Sequence, residues 1–388
     1  MAGRRDLKVV EKKAVKTVGI TGIDGLIGWH LRCRLFSESD AYRVIPADRS
    51  TFESEERLDE FVEQCEVIVH LAGMNRGDPE ELERTNIALA ETLVSAFERT
   101  GRQPHLVFSS STHADGETPY GRSKRKASEI FALWGGRTGG SLANLILPHV
   151  FGECGRPFYN SVVSTFCHQV ANGQEPVIDN DGQLELLHAQ DVAALVLQVI
   201  EEEKSGDIRT HGRRVLVSEM LECLRRIAGS YREGVIPKLG DTFNLRLFNT
   251  YRSYLFPDYY PVALKLSTDS RGALFEAVKS DHGGQAFMST TRPGVTRGDH
   301  FHFAKVERFL VIHGEALIRI RRLFRDHVEE FRVSGETPVF IDMPTLHTHN
   351  ITNTGEGELL TLFWSHEIFD PDNPDTYHEP VVDGRTAQ

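Results

Sequence analysis

The chain has 388 residues, of which 40% are hydrophobic and 26% charged, and carries a formal net charge of −12. That length exceeds one ordinary core and calls for two or three domains, while the acidic balance argues against a nucleic-acid surface and leaves room for a local basic pocket. No apolar run approaches the roughly 18 residues that cross a bilayer, so no membrane span is expected. The five cysteines (Cys33, Cys65, Cys154, Cys167, Cys223) are scattered without a C-x-x-C pair, which fits a reduced, cytoplasmic protein.

In chain order, the basic start (Arg4, Arg5, Lys8, Lys12, Lys13) is followed by no signal-like apolar segment. Residues 1–15 are expected to be a disordered arm. KTVGIT at 16–21 then reads as a short buried strand, followed by Gly22-Ile-Asp-Gly25-Leu26-Ile27-Gly28 and an amphipathic helix to about 36. A strand, a glycine turn and a helix N-terminus aim backbone N–H groups at a pyrophosphate. Gly22 allows the tight turn, Gly25 lets phosphates approach, and Gly28 lets the helix pack on the strand. This points to a dinucleotide cofactor.

A second strand at 43–47 ends at Asp48-Arg49. The acid would bond ribose hydroxyls and favour NADH, whereas the arginine would pair with a 2′-phosphate and favour NADPH. NADPH is the expectation, with NADH as the alternative. EVIVHL at 66–71 is a continuous apolar strand of the kind found in a parallel sheet covered on both faces. It runs into Ala72 and Gly73, small residues suited to a closely approaching cofactor. A helix is expected over 79–99 and a strand over 105–109, so the alternation gives a doubly wound α/β domain.

That strand opens into Ser109-Ser110-Ser111-Thr112, and nine residues after Ser111 comes Tyr120-Gly-Arg-Ser-Lys124. Positions i and i+4 share a helix face, so the Lys124 ammonium can lie near the Tyr120 hydroxyl and favour the phenolate. Such a tyrosine can protonate a carbonyl oxygen as hydride reaches the carbon, with Ser111 bonding the same oxygen. Together these residues resemble the extended short-chain dehydrogenase/reductase family over about 16–245. The resemblance adds Leu71, Ala72, Gly73 and Asn86 to the cofactor-binding set of Gly22, Gly25, Leu26, Ile27, Gly28, Asp48, Arg49, Tyr120 and Lys124. LILPHVFG (145–152) resembles the family's strand and turn beside the nicotinamide and substrate. Arg156, Tyr159 and Asn160 are candidate substrate contacts, and a helix is expected over 158–171. LELLHAQD (184–191) looks like the family element that frames the nucleotide-sugar end, and Ser218 is the expected cap of the helix that follows.

Over 231–261 tyrosine, phenylalanine and proline recur without clear period, and 246–264 is expected to be a connecting segment that packs against something. Beyond 265, short alternating strands at 285–291, 307–312, 316–322, 327–334, 338–342 and 359–364 point to a β-sandwich or small barrel. There PGVTRGDHFHFAKVERFLVIHG (293–314) places His300, His302 and Glu307 together, and His347 and His349 follow. H-x-H on a strand puts both imidazoles on one face, and a His/Glu set suits Zn, Fe, Ni or Mn.

The stretch resembles the first cupin motif through Gly294, His300, His302, Glu307 and Gly314, and the second through Pro344, His349 and Asn353. Leu346 stands where that motif has glycine. Spacing assigns His349 as the fourth ligand and leaves His347 as a supporting or surface residue. One divalent metal, with zinc as the leading choice, is expected in a cupin jelly-roll domain over 265–388.

A reductase fused to a cupin, with HLAGMNR (70–76), YNSVV (159–163), TRGDHFH (296–302), ERFLVIHGEALIRIR (307–321) and FDPDNPDTY (369–377), resembles the bifunctional capsule and O-antigen nucleotide-sugar enzymes of the CapF/WbjC type. The resemblance implies a UDP-linked 4-keto-6-deoxy amino sugar, UDP-2-acetamido-2,6-dideoxy-hexos-4-ulose, as substrate. It further implies C3 epimerisation by the cupin, NADPH-dependent C4 reduction towards UDP-N-acetyl-L-talosamine, and a homodimer. Lys305, His313 and His347 are the candidates for the C3 base by proximity in sequence. Two rival readings are a reductase whose cupin only dimerises or holds a structural metal, and a non-catalytic nucleotide-sugar or redox-sensing protein.

Overall fold

The structure, a computed structural model, describes residues 14–382. Most of the expected N-terminal arm therefore lies outside the described residues, as do the last six residues of the expected cupin. The elements begin with β1 (Lys16–Thr21), α1 (Leu26–Ser37), β2 (Tyr42–Ala47), α2 (Arg49–Phe52), α3 (Glu55–Gln64), β3 (Val67–His70), α4 (Pro79–Thr100), β4 (His105–Ser111), α5 (Pro119–Thr138) and β5 (Leu142–Leu147). Next come β6 (His149–Phe151), α6 (Val162–Ala171), β7 (Gln183–His188), α7 (Ala189–Glu201), β8 (Gly206–Arg209), β9 (Arg213–Leu216), α8 (Val217–Arg232), β10 (Val235–Ile236) and α9 (Thr242–Arg252). Four short strands follow, β11 (Val262–Ala263), β12 (Ser267–Asp269), β13 (Gly272–Leu274) and β14 (Lys279–Ser280). The remaining strands are β15 (Gln285–Thr291), β16 (Thr296–Phe301), β17 (Glu307–His313), β18 (Glu315–Arg322), β19 (Val328–Ser334), β20 (Val339–Met343), β21 (His347–Asn353), β22 (Leu359–Ser365) and β23 (Tyr377–His378).

The chain divides into two compact units, Met1–Leu147 with Asp191–Thr210, and Pro148–Gln190 with His211–Gln388. In the first, parallel strands run in the order β2-β1-β3-β4-β5-β8. The chain leaves β1 towards β2 and returns past it to β3, so the order reverses at β1 and a crevice opens at the carboxyl ends of β1 and β3. Every residue of β3 is buried, as strands covered on both faces require. Phe97, Phe108, Phe131 and Trp134 fill one core of this unit, each contributing about 1.5–3 kcal/mol by leaving water.

In the second unit, α6, α8 and α9 share a core with the small sheet β6-β7-β9 and with Val306 and Trp364 of the barrel. That continuity explains why residues 148–190 and 211–264 fall with the cupin in one compact unit. The barrel consists of two antiparallel sheets, β11-β20-β17-β22-β15 and β19-β18-β21-β16-β23, closed on Phe309, Leu310, Ile318, Ile320, Ile341 and Ile351. This is the expected jelly roll. Behind it a buried network links β17, β20, α8 and the connection before β11: Arg308 donates to both Asp342 oxygens at 2.7 and 2.9 Å, and Tyr231 donates to Asp342 Oδ2 at 2.6 Å and lies 2.6 Å from the Tyr260 hydroxyl.

Three local expectations are corrected. The helix expected over 158–171 starts only at Val162, because Phe158 is left-handed at φ 56° and Ser161 caps the first turn by accepting from Ser164 N–H. Ser218 is not a cap but lies inside the first turn of α8, where its hydroxyl donates to Asp181. The aperiodic region 231–261 contains the helix α9, capped by Asp241. Residues 247–252 are all buried, and a helix buried all round loses the polar face that makes its period visible.

Candidate active site and metal centre

The first site is built at the crevice of the parallel sheet. Gly22 has φ 70°, and a Cβ there would lie 2.8 Å from Ala72 N. A Cβ on Gly28 would lie 2.3 Å from Gly22 O and 2.8 Å from Ile23 Cα. Both glycines are therefore required by backbone packing. Gly25 caps α1 without a side chain, and a Cβ there would meet only Gly22 O, at 3.2 Å. The helix N-terminus, with Leu26, Ile27 and Gly28 in its first turn, is thus open to an anion.

The loop after β3 is held against this turn. Thr21 Oγ1 accepts from Leu71 N–H and Ala72 N–H at 3.1 and 3.2 Å and lies 2.9 Å from His70 Nδ1. With Oγ1 already accepting two N–H groups, its own hydroxyl proton is left to donate to Nδ1, which puts the proton of a neutral His70 on Nε2. Burial depresses the pKa of this imidazole to about 3. Asn86 of α4 brackets Met74, accepting from its N–H at 2.7 Å and donating to its carbonyl at 2.9 Å. Asn86 therefore fixes the loop that carries Leu71, Ala72 and Gly73. Asp48 uses its carboxylate to cap α2, accepting from Thr51 N–H and Ser50 Oγ, and both Asp48 and Arg49 are exposed beside the β1 end.

Ser111 ends β4 and accepts from His113 N–H at 3.2 Å, which leaves its hydroxyl proton to donate. Thr118 and Pro119 start α5, with the threonine hydroxyl accepting from Gly121 N–H. Gly121 abuts the turn after β4: a Cβ there would lie 2.2 Å from His113 O. This packing seats Tyr120 beside the Ser111 turn, with its ring 6.1 Å from that of His113. Lys124, one turn on, is buried and donates to Ser109 O at 2.8 Å, with Nζ 5.8 Å from the Tyr120 ring centre. Its Nζ also lies 3.9 Å from where a Gly73 Cβ would be. Burial lowers the pKa of Lys124 to about 8. Of the expected reductase residues, the structure thus brings the glycine turn, the Leu71–Gly73 loop, Asn86 and Lys124 to one crevice. The groups that sequence reasoning missed here are Gly121 and the Thr21–His70 pair. Arg156, Tyr159 and Asn160 belong to the second unit, where the Arg156 guanidinium packs on the Tyr159 ring at 5.1 Å.

In the barrel, His300, His302, Glu307 and His349 present ligand atoms that all lie within 4.8 Å of one another. Glu307 Oε2 is 3.3 Å from His302 Nε2, 3.4 Å from His349 Nε2 and 4.0 Å from His300 Nε2. His300 and His349 are paired neighbours on β16 and β21, with a register shift at Gly298, while His302 follows the end of β16 and Glu307 opens β17. Burial works to raise the Glu307 pKa, but the three imidazoles outweigh it and hold the carboxylate well below its usual range. Burial holds His349 neutral, its pKa lowered to about 4. An anionic carboxylate among inward Nε2 atoms is the donor set a divalent cation needs. Backbone carbonyls hold the outward nitrogens: His302 Nδ1 lies 2.6 Å from Asp375 O, and His349 Nδ1 lies 3.2 Å from His347 O. His349 Nε2 is buried without a well-aligned hydrogen bond, as expected of an atom meant for a metal.

His347 is not in the cluster. Its Nδ1 lies 2.8 Å from Thr345 O, its ring packs on Phe256, and it lines a separate cavity of about 260 Å³ with Cys154 and Arg322. Leu346 adopts the left-handed φ of 61° that glycine would take and is fully buried. Its N–H donates to His302 O at 2.8 Å, so the turn before the last ligand survives without glycine, at a strain cost of about 1–3 kcal/mol.

Residues 18–212 match the NAD dependent epimerase/dehydratase family, and residues 267–377 match the polysaccharide biosynthesis C-terminal domain. The chain is 33% identical over 370 residues to the UDP-2-acetamido-2,6-beta-L-arabino-hexul-4-ose reductase of Pseudomonas aeruginosa, covering 94% of this chain and 99% of that protein. It is also similar to the crystal structure of the capsular polysaccharide assembling protein CapF from Staphylococcus aureus, at 30% identity and TM-score 0.61, covering 94% of this chain and all of that one. The chain belongs to the NAD-dependent epimerase/dehydratase family, in its CapF-type form. A shorter match joins this CapF-type chain to the Bacillus subtilis spore coat polysaccharide biosynthesis protein SpsL, 25% identical over 126 residues, or 30% of this chain and 83% of that protein. Among the described residues no helix is long and apolar enough to cross a membrane.

Proposed function

We propose that the protein is a bifunctional UDP-sugar enzyme. Its α/β domain reduces the C4 ketone of a UDP-linked 2-acetamido-2,6-dideoxy-hexos-4-ulose, and its barrel epimerises the same sugar at C3. The observation that carries the reading is the coexistence, in one CapF-type chain, of the Ser111, Tyr120 and Lys124 set with a complete three-histidine, one-carboxylate cluster. The relative's name supplies the substrate class.

Reduced nicotinamide, bound on the α1 N-terminus and beside Gly73, would supply the hydride. Tyr120 gives its phenolic proton to the C4 oxygen, and the buried Lys124 ammonium keeps positive charge beside the ring. Ser111 donates its hydroxyl proton to the same oxygen and holds the ketone in place. A divalent ion held by His300, His302, Glu307 and His349, with zinc first among the choices, would supply positive charge for the oxygen of a C4 ketone and so acidify the C3 hydrogen. The ligand imidazoles direct their Nε2 lone pairs inward and are unsuited to take that proton. Of the base candidates, His313 ends β17 exposed and His347 lines the separate cavity. Lys305 is buried and donates to Pro374 O at 2.7 Å and Thr376 Oγ1 at 3.2 Å.

The Tyr120→Phe variant tests the reductase half. It should lower the turnover of NADPH with the 4-keto sugar by about 10²–10⁴-fold while NADPH affinity stays within a few-fold. Unchanged turnover would remove Tyr120 from the mechanism.

A further inference from the structure

The C-terminal segment after β22 is attached to the metal cluster in a way its sequence does not advertise. Asp375 places its carboxylate against three successive backbone donors: Oδ1 accepts from Phe303 N–H at 2.9 Å, and Oδ2 accepts from Ala304 N–H at 2.9 Å and Lys305 N–H at 2.8 Å. These three residues form the turn between His302 and Glu307. The main-chain carbonyl of Asp375 lies 2.6 Å from His302 Nδ1. One residue therefore holds both the ring orientation of one ligand and the path of the chain to the next.

Asp375 itself takes φ 40°, a conformation a non-glycine residue keeps only where its surroundings hold it. The anchors lie on both sides. Lys305 Nζ donates to Pro374 O and Thr376 Oγ1. Tyr377 pairs with Phe301 as an added edge strand, its ring 5.4 Å from Phe301 and 4.9 Å from Phe303.

We propose that Asp375 is a positioning residue for the metal centre, its carboxylate fixing the His302–Glu307 turn while its carbonyl holds His302 with Nε2 bare and aimed at the ion. The segment Pro374–Tyr377 is then a strap that preorganises two of the four ligands. A carboxylate facing three N–H groups offers charge-assisted bonds, and a carbonyl on the outer nitrogen of a ligating imidazole selects its tautomer. The inference rests on the metal reading of the cluster proposed above.

The test uses the full-length chain stripped of metal and titrated with Zn²⁺ against a chromophoric chelator, then with Co²⁺ for its visible spectrum. Asp375→Ala removes the carboxylate. Asp375→Asn keeps nearly the same volume but turns an amide NH₂ towards N–H donors, and it serves if the alanine variant fails to fold. The expected result is Zn²⁺ affinity about 10–100-fold weaker, an altered Co²⁺ spectrum, and faster amide exchange at residues 303–306 in the metal-free protein. If a folded variant binds both ions as wild type does, with an unchanged spectrum, the positioning role is wrong and the metal reading stands. If wild type takes up neither ion, the metal reading falls and this inference with it.

Discussion

Lys124 offers a prediction in which activity and stability move in opposite directions with pH. Its ammonium is buried beside Phe108 and Tyr120, with Ser109 O as its hydrogen-bond acceptor. Burial lowers its pKa from 10.5 to about 8, a difference worth about 3 kcal/mol between its charged and neutral forms. Because the folded pKa lies below the unfolded one, the unfolded chain binds more protons between pH 8 and 10.5. The group's contribution to stability therefore improves as pH rises through that window, and its burial cost is fully present below pH 8. Activity should do the reverse, since the charge beside Tyr120 disappears: above pH 8, kcat/KM for ketone reduction should fall about tenfold per pH unit. Lys124→Met separates the two effects. At pH 7 it removes a burial cost of about 3 kcal/mol and loses one hydrogen bond worth about 1 kcal/mol, so the variant should be more stable by about 2 kcal/mol and nearly inactive. The assays are a pH–rate profile from NADPH absorbance and urea unfolding at pH 7. A flat profile to pH 10, or a Met variant less stable than wild type, would refute the reasoning.

Two further predictions follow from packing. Gly28→Ala gains about 1 kcal/mol of helix propensity, but its Cβ meets Gly22 O and Ile23 Cα, backbone atoms that cannot step aside. We expect a net loss of about 1–2 kcal/mol and NADPH affinity reduced at least tenfold, by fluorescence titration, with Zn²⁺ uptake unchanged. Asp342→Asn leaves the Arg308 guanidinium, 1% exposed, without its buried carboxylate, and should cost about 3–5 kcal/mol in chemical denaturation.

The sequence was most informative where chemistry and local period coincide. The glycine turn, the Tyr120–Lys124 spacing and the His300–His302–Glu307 run were legible because one short stretch holds the residue types at the spacing that the geometry needs, while His349 came from the spacing of a second motif. What stayed hidden depends on distant partners. Asp48 reads as a ribose ligand by position, yet its carboxylate also caps α2, since the same side chain suits either task. Ser218 reads as a cap, but a more distant partner, Asp181, takes its hydroxyl. Helix α9 left no period because nearly every face of its second half is buried. Strands β16 and β21 carry three ligands between or beside them; the H-x-H pair implied a strand at β16 without its bounds, and β21 was not foreseen, because its nearly continuous burial follows the site and not a simple alternation. Leu346 departs from the glycine of its motif and still makes the turn, the strain being offset by its burial and its bond to His302 O. Asp375 lies in the FDPDNPDTY stretch that carries part of the family resemblance, but, some seventy residues from the ligand it holds, nothing in the sequence ties it to the metal cluster.

The central claim is that one chain exchanges the C3 proton of a 4-keto UDP-sugar at its barrel and reduces C4 at its α/β domain. It is tested most directly by NMR of the UDP-linked 2-acetamido-2,6-dideoxy-hexos-4-ulose incubated in D₂O with the protein, first without and then with NADPH. The account predicts deuterium at C3 without NADPH, lost in the His300→Ala/His302→Ala variant, and a C4 alcohol once NADPH is added. Deuterium uptake that persists in the folded, metal-free double variant would contradict the role of the metal centre, and an unreduced ketone with NADPH present would contradict the reductase.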